Sequence, residues 1–330
     1  MNQDPEVDFP GLGWRPATAT DVQAWAALIA RTAAVENPVW YEREADLQQQ
    51  VESRKNPPAE NTILGLDNDG VPRAYGRISR NPGAGKAHGF GCVDPDWQRR
   101  GIGRALLSWL EERARRRFAE DAADGGAQPS ALLRIGTEQQ HRHQARLLES
   151  AGYTVVRYFS EMHRPLDRPV PASVLSGGLE LAGMAPEFHE AVRVAHNETF
   201  RDHWGSEPRD EESWNFTVNH PLARPDLSTV VLDSVTREVA GYQLASHDPD
   251  IAVRRGIREG YTELLGVRRE YRGRGIARAL LADAMRRFTD AGMDVASLDV
   301  DSENPTGALA LYTKMGYQAV NTSMAWDKEL

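Results

Sequence analysis

The chain has a single cysteine, Cys92. That excludes an internal disulfide framework and any structural zinc site built on several cysteines, and it fits a reducing compartment. No uninterrupted apolar run approaches the roughly 18 residues that a membrane-spanning helix requires. Positive charge is not in excess: 39 Lys and Arg face 48 Asp and Glu, for a formal net charge of −9. This balance argues against nucleic acid and for cationic or amine-bearing partners. The opening MNQDPEVDFPGLGW is acidic and lacks the basic segment and apolar core of a secretory signal, so a cytoplasmic location is expected. Two phosphate fingerprints are also missing. The segment Gly83-Ala84-Gly85-Lys86 has Arg80 at the first P-loop glycine and Ala87 after the lysine, and Gly273-Arg274-Gly275 has Arg278 at the third Rossmann glycine. What remains is an ordinary globular composition, 40% hydrophobic and 26% charged over 330 residues, enough for two domains.

The chain contains one unit twice. Residues 98–107 read QRRGIGRALL and residues 272–281 read RGRGIARALL. Seven of the ten positions match without a gap, and the blocks lie 174 residues apart. Upstream, NTILGL, the turn Asp67-Asn68-Asp69-Gly70 and VPRAYGRIS predict strand, turn, strand; STVVLD and EVAGYQLAS predict the same in the second half. Downstream, the halves close with LLESAGYTVV and LYTKMGYQAV. Each half therefore reads as strands, a central helix, a strand, a helix and a final strand. The central helices carry apolar residues at helical spacing: Ile102, Leu106, Trp109, Leu110 and Phe118 in the first, and Ile276, Leu280, Leu281, Ala284, Met285 and Phe288 in the second. Pro165 to Pro171, followed by Gly177-Gly178, reads as the linker, which gives domains of 1–168 and 172–330. The loop 121–130 has no counterpart in the second half.

In both blocks a strand runs through a glycine-rich turn into a helix, from Val93 to Gly101 and from Val267 to Gly275. Glycine admits close backbone approach, and a helix N-terminus presents unpaired N–H groups at its positive dipole end. Together they form an anion site, most often for phosphate. Arg99, Arg100, Arg272 and Arg274 add positive charge.

The pattern Gln/Arg-x-x-Gly-x-Gly/Ala occurs as Gln98-Arg99-Arg100-Gly101-Ile102-Gly103 and as Arg272-Gly273-Arg274-Gly275-Ile276-Ala277. It resembles the acetyl-CoA pyrophosphate loop of the GNAT superfamily of N-acetyltransferases. ENPTGALALYTKMGY (303–317) resembles that family's second signature. The resemblance covers nearly the whole chain, and the tandem arrangement resembles the mycothiol synthases within the superfamily. Phe200-Arg201-Asp202-His203-Trp204-Gly205 is also similar to a wider group of tandem members. The resemblance implies an α/β fold, a tandem repeat of two GNAT-like domains, each a mixed central sheet flanked by helices. It also implies acetyl-CoA as cosubstrate and direct attack by a primary amine of a small molecule. By the same resemblance, the pantetheine arm pairs like an extra strand with the edge at Leu265, Gly266 and Val267, whose N–H groups stabilise the oxyanion.

The halves differ where chemistry is needed. Aligned on Gly152 and Gly316, Tyr312 falls opposite Leu148 and Asn304 opposite Gln140; aligned on the loops, Glu263 falls opposite Gly89 and Tyr261 opposite Ala87. Amide formation from a thioester requires proton loss from the amine, oxyanion stabilisation and protonation of the departing thiolate. The resemblance assigns the last role to Tyr312; the alternative is a core tyrosine on an amphipathic helix. Glu263 shares a strand face with Tyr261 and is the expected base, against the reading of a surface glutamate, with Glu259 a weaker candidate. Here the sequence departs from relatives, whose carboxylate lies two residues earlier, at Tyr261. Asn304 either caps the following helix or bonds the pantetheine. The second domain is thus expected to be catalytic, and the first to be a degenerate, non-catalytic partner.

Asp202, His203 and Trp204 are expected to line the acceptor cleft, or else to form a loop packed by its tryptophans, with Trp214 and His220 following. With Asp210, Glu211 and Glu212 nearby, a positively charged acceptor is expected. His141 and His143 look exposed, isolated and without a patterned acidic partner, so no metal site is expected. Cys92 reads as a packed thiol rather than a nucleophile. Arg113, Arg115, Arg116 and Arg117 read as a solvated helix face or as help for the CoA 3′-phosphate. The leading reading is acetyl-CoA-dependent N-acetylation of a small amine, in a mycothiol-synthase-like role. The enzyme alternative acetylates an amine antibiotic or another metabolite. The alternative of another class is a non-catalytic acyl-CoA-binding or sensing protein. No nucleic acid or membrane partner is expected, and the oligomeric state is left open.

Overall fold

The structure is a computed structural model that describes residues 11–123, 131–201, 203–304 and 307–330. Asp202 and loop residues 124–130, singled out above, lie outside the described residues.

Turn chemistry starts the first sheet. Strands β1 (Gly13–Arg15), β2 (Thr62–Leu66), β3 (Pro72–Ser79) and β4 (Lys86–Val93) pair antiparallel in that order. The β2–β3 turn is tied by the Asp67 carboxylate, which accepts the N–H groups of Asp69 and Val71, and Gly70 takes the left-handed conformation the turn requires. Helices α1 (Val22–Glu36), α2 (Glu44–Glu52) and α3 (Pro58–Asn61) come before β2. Beyond β4 the long helix α4 (Ile102–Ala123) leads to β5 (Leu132–Glu138), which runs parallel to β4. Ile102, Leu106, Trp109, Leu110 and Phe118, the apolar stripe of α4, are all buried in one core with Ile78, Ala87 and Leu133 of the sheet. Trp25 and Leu28 of α1 and Leu47 of α2 form a second core with Leu64 and Tyr75. Helix α5 (Arg142–Ser150) and strand β6 (Thr154–Pro165) end the first half.

The second unit repeats the plan. Strands β7 (Leu179–Gly183), β8 (Thr229–Asp233), β9 (Val239–Ser246) and β10 (Glu259–Val267) are antiparallel neighbours, and β11 (Val295–Asp301) runs parallel to β10. Helices α6 (His189–Thr199), α7 (Glu211–Asn219) and α8 (Pro249–Arg255) fall between these strands. The central helix α9 (Ile276–Asp290) buries Ile276, Leu280, Leu281, Ala284, Met285 and Phe288, the six positions its periodicity predicts. Helix α10 (Ala308–Lys314) precedes the last strand, β12 (Gln318–Glu329).

The final strand of each half serves the other unit's sheet. Phe159 to Pro165 of β6 pair with β11, and Ser323 to Glu329 of β12 pair with β5. The compact units are therefore Met1–Tyr158 with Ser323–Leu330, and Phe159–Thr322, so the division does not fall at the linker near residue 170. Strand partners are non-local, and nothing in the alternation of a strand names the neighbour it joins.

Candidate active site

In the second unit the loop before α9 forms an anion nest. Gly273 and Gly275 have φ of 77° and 80°. The Arg272 N–H bonds the Arg269 carbonyl, and the Ala279 N–H bonds the Gly275 carbonyl. Between them, the N–H groups from Gly273 to Arg278, Ile276 and Ala277 included, have no backbone acceptor among the described residues. They converge at a helix N-terminus, where an anion is favoured. A Cβ on Gly273 would point into open space, whereas one on Gly275 would stand 2.7 Å from the Val174 carbonyl oxygen. Arg274 donates to the Gly177 carbonyl and lies over the Tyr271 ring, and Arg272 bonds back to the Val267 carbonyl.

The first unit keeps the same nest. Gly101 has φ of 87°, and Arg99, at the position of Gly273, is held at φ 62°. A non-glycine residue in that region is uncommon, and the cost is of order 1–2 kcal/mol. Gln98 bonds back to the Val93 carbonyl, and Arg100 stacks on Trp97. The N–H groups of Ile102 and Gly103 lie in the stretch before Ala105, the first to bond back, to the Gly101 carbonyl.

Beside the nest, two parallel strands part. β10 and β11 pair only through Glu259–Val295, Gly260–Ala296 and Tyr261–Ser297. Beyond that point Leu265, Gly266 and Val267 pair with β9 on one side only, and a register shift lies between Thr262 and Leu264. The free edge offers backbone groups to an extended ligand, as β-augmentation requires. Gly266 is required by packing, because a Cβ there would come within 2.5 Å of the Tyr242 ring. In the first unit β4 and β5 also pair over a short stretch, Lys86–Leu132 to Gly89–Ile135, but β3 and β4 run without a register shift.

The helix that follows each wedge carries a different residue at the equivalent position in the two units. Tyr312 on α10 is 9% exposed and lies in the core beneath α9 with Met315 and Tyr317. Burial pushes its phenol up to about 12, so it holds its proton at every working pH. A phenol this weak can give its proton to a thiolate of pKa about 8.5 only as charge builds on sulfur, and can otherwise act as a hydrogen-bond donor. Leu148, the first unit's equivalent, is a core residue at 3% exposure. Gly307 occupies the N-cap of α10. Asn304, three residues earlier, sits in the turn after β11, its N–H on the Asp301 carbonyl.

Strand alternation places a set of carboxylates on one face of β10, β11 and β6. Tyr261 donates to Asp299 Oδ2 at 3.1 Å. Glu263 is exposed and accepts from the Ser246 hydroxyl at 3.2 Å. Glu259 is 2% exposed; one of its oxygens bonds Ser297, and the other has no hydrogen-bond partner. Burial raises its pKa, with the Ser297 hydrogen bond opposing. Burial alone would also raise Glu161, but the hydrogen bond from His163 at 2.8 Å and the Arg255 charge at 2.9 Å hold it below the usual range. Glu161, His163 and Glu259 offer ligand atoms within 4.8 Å of one another. Arg255 already supplies the cation there, which weighs against a metal ion. Asp299 reaches solvent, yet the crowded wall around it and the charges of Glu161, Glu259 and Glu263 hold its pKa up to about 6, against the Tyr261 hydrogen bond. The sequence reading passed over Asp299, Glu161 and His163; period-two alternation in VASLDVD (295–301) was the available signal.

The other candidates separate. His203 bonds the Trp204 carbonyl and stacks near Phe200, and Trp204 packs on Phe159. Trp214 is buried against His196. Two expectations are corrected. His141 is buried, bonded to the Glu36 carbonyl, and His143 has an acidic partner in the Glu36 carboxylate at 3.3 Å. Arg113 and Arg117 are buried rather than solvated, tied to Glu60, Glu120 and Asn61, because α3 covers that face of α4. Cys92 takes a hydrogen bond from Thr32, and burial pushes its thiol up to about 12.

Comparison with known proteins agrees with this geometry. The model of the acetyltransferase (GNAT) family matches residues 25–125 and 189–317. A mycothiol acetyltransferase of Salinispora arenicola is 30% identical over 261 residues, 76% of this chain and 75% of that protein. One from Thermomonospora curvata is 29% identical over 266 residues, 78% of each. Among solved structures, a GCN5-related N-acetyltransferase from Sphaerobacter thermophilus aligns with a TM-score of 0.70 at 23% identity, over 99% of this chain and 97% of that one. A tandem GNAT protein from the clavulanic acid biosynthesis pathway aligns with a TM-score of 0.68 at 18% identity, over 96% and 98%. The two nests, the parted strands and these matches lead to one conclusion: the chain belongs to the GNAT family, as a tandem, acetyl-CoA-dependent N-acetyltransferase.

Proposed function

We propose that the second unit carries the acetyl transfer and that the acceptor is a small molecule bearing a primary amine. The asymmetry between the units supports this reading. Both have an anion nest and a strand wedge, but only the second has a phenol where the first has Leu148, and the Tyr261–Asp299 pair on its wedge. In this reading the pyrophosphate of acetyl-CoA lies on Gly273 to Ala277, and the pantetheine runs along Leu265 to Val267. The amine attacks the thioester carbonyl directly, backbone N–H groups hold the oxyanion, and Tyr312 donates to the leaving sulfur. Glu263 and the neighbouring carboxylates attract the ammonium form of the acceptor and lower the local cost of its approach. His203 and Trp204 border that approach. The first unit binds without turning over.

The similarity to mycothiol acetyltransferases favours an acceptor of the mycothiol-precursor type. The test follows CoA thiol release across a panel of amines, with cysteinyl-glucosaminyl-inositol included and read by mass spectrometry. Selective turnover of that precursor is the expected result. Turnover of another amine keeps the acetyl transfer and rejects the acceptor. Tight acetyl-CoA binding with no release under any amine favours the binding-protein alternative.

A further inference from the structure

Where β10 and β11 part, Tyr261 is the last residue of β10 still paired with β11, opposite Ser297. Asp299 lies two residues further along β11, on the arm that leaves β10. The Tyr261 hydroxyl bridges the gap and donates to Asp299 Oδ2 at 3.1 Å. The Asp299 side chain opens to solvent on the same face. Glu263 is anchored differently: it sits at the register shift of β10 and accepts from Ser246 on β9, on the side away from β11.

We propose that Asp299 receives the proton that leaves the acceptor amine, with the Tyr261 hydroxyl passing it on. The proposal rests on the acetyl transfer placed above in the second unit. An ammonium nitrogen loses two protons on becoming an amide. The first passes to the Tyr261 oxygen while that hydroxyl gives its own proton to Asp299, which later releases it to solvent. The freed amine attacks the thioester carbon, the C–N bond forms and the C–S bond breaks. The second proton balances the one that ends on the CoA sulfur through Tyr312.

The surrounding charges suit this role. Burial first, and then the charges of Glu161 on β6 and of Glu259 and Glu263 on β10, raise the proton affinity of Asp299 against the Tyr261 hydrogen bond, while Arg255 and His163 are spent on Glu161. At about 6, the carboxylate is ionised at pH 7 yet more basic than an ordinary aspartate. Tyr261 is pushed well above the usual phenol range, by burial first and then by Asp299, so it relays a proton without ionising.

The test compares the pH dependence of kcat/KM for the full-length wild type with Asp299→Asn, Tyr261→Phe and Glu263→Gln. Wild type should show a limb rising through an apparent pKa near 6. Asp299→Asn should lose that limb and about a hundredfold or more in kcat/KM, with acetyl-CoA affinity unchanged. Glu263→Gln should raise the acceptor KM and keep the limb. A limb near 6 that survives in Asp299→Asn, or that disappears in Glu263→Gln, overturns the proposal. A second readout needs no turnover. A carbon-13 carboxyl resonance assigned by its loss in Asp299→Asn should titrate near 6, and higher in Tyr261→Phe, which removes a hydrogen bond to the charged form. Titration in the ordinary aspartate range overturns the proposal. Wild-type protein that transfers acetyl to no amine defeats the functional reading instead.

Discussion

Trp326→Ala should loosen the first unit and spare the second, although Trp326 follows the whole second half in sequence. The indole is 3% exposed within the core that α4 makes with the first sheet, and its Nε1 donates to Thr137 Oγ1 at 2.8 Å. Removing a buried tryptophan costs about 3–5 kcal/mol, and the orphaned Thr137 hydroxyl adds roughly 1 kcal/mol. That is a large share of the about 5–15 kcal/mol that stabilises a domain. For a unit of this size about 2–4 °C are lost per kcal/mol, so the first transition should fall by roughly 8–24 °C. Hydrogen exchange read by mass spectrometry locates the effect. Protection should drop in residues 132–138, whose partners are Ser323 to Glu329, and persist in residues 295–301. Lost protection in β11 with β5 unchanged would refute the strand exchange and restore β12 to its own half.

Three further outcomes follow from local physics. Gly275→Ala should weaken acetyl-CoA binding at least tenfold by isothermal titration, because φ of 80° opposes a side chain and its Cβ meets the Val174 carbonyl at 2.7 Å; unchanged affinity would detach the nest from the cofactor. His196 is buried, with Arg209 nearby, and shares a hydrogen bond with the Tyr242 hydroxyl; its pKa is lowered from 6.5 to about 4. The unfolded chain therefore binds the proton first, so stability falls as pH drops from 6.5 towards 4, by roughly 3 kcal/mol. Urea midpoints should show that fall blunted in His196→Gln, and an identical fall would refute the assignment. Cys92, with its thiol near 12, should resist iodoacetamide at pH 8 in the folded protein and react in urea; prompt labelling of the native chain would contradict the raised thiol.

Much of the fold is legible in the sequence, because local patterns specify local structure. The stripe Ile276 to Phe288 faces the core as its period predicts, and the two Gly-x-Gly/Ala turns take positive φ because the chain turns from strand to helix there. The strand exchange is not legible: Thr154 to Pro165 and Gln318 to Glu329 alternate as strands, and alternation is silent about which edge they join. The site divides in the same way. Tyr312 and the nests are contiguous motifs, whereas the acidic face is assembled from residues 161, 259, 263 and 299 by pairing across three strands. The buried Arg113 and Arg117 were misread because a charge run has the same sequence whether solvent or α3 covers it.

The claim that the second unit carries the chemistry is tested most directly by the turnover of Tyr312→Phe with the acceptor that the amine panel identifies. The expected result is a fall in kcat of about ten- to a thousandfold with acetyl-CoA affinity changed less than about twofold, since the ring stays packed and only the donor is lost. Full turnover in that variant would contradict it.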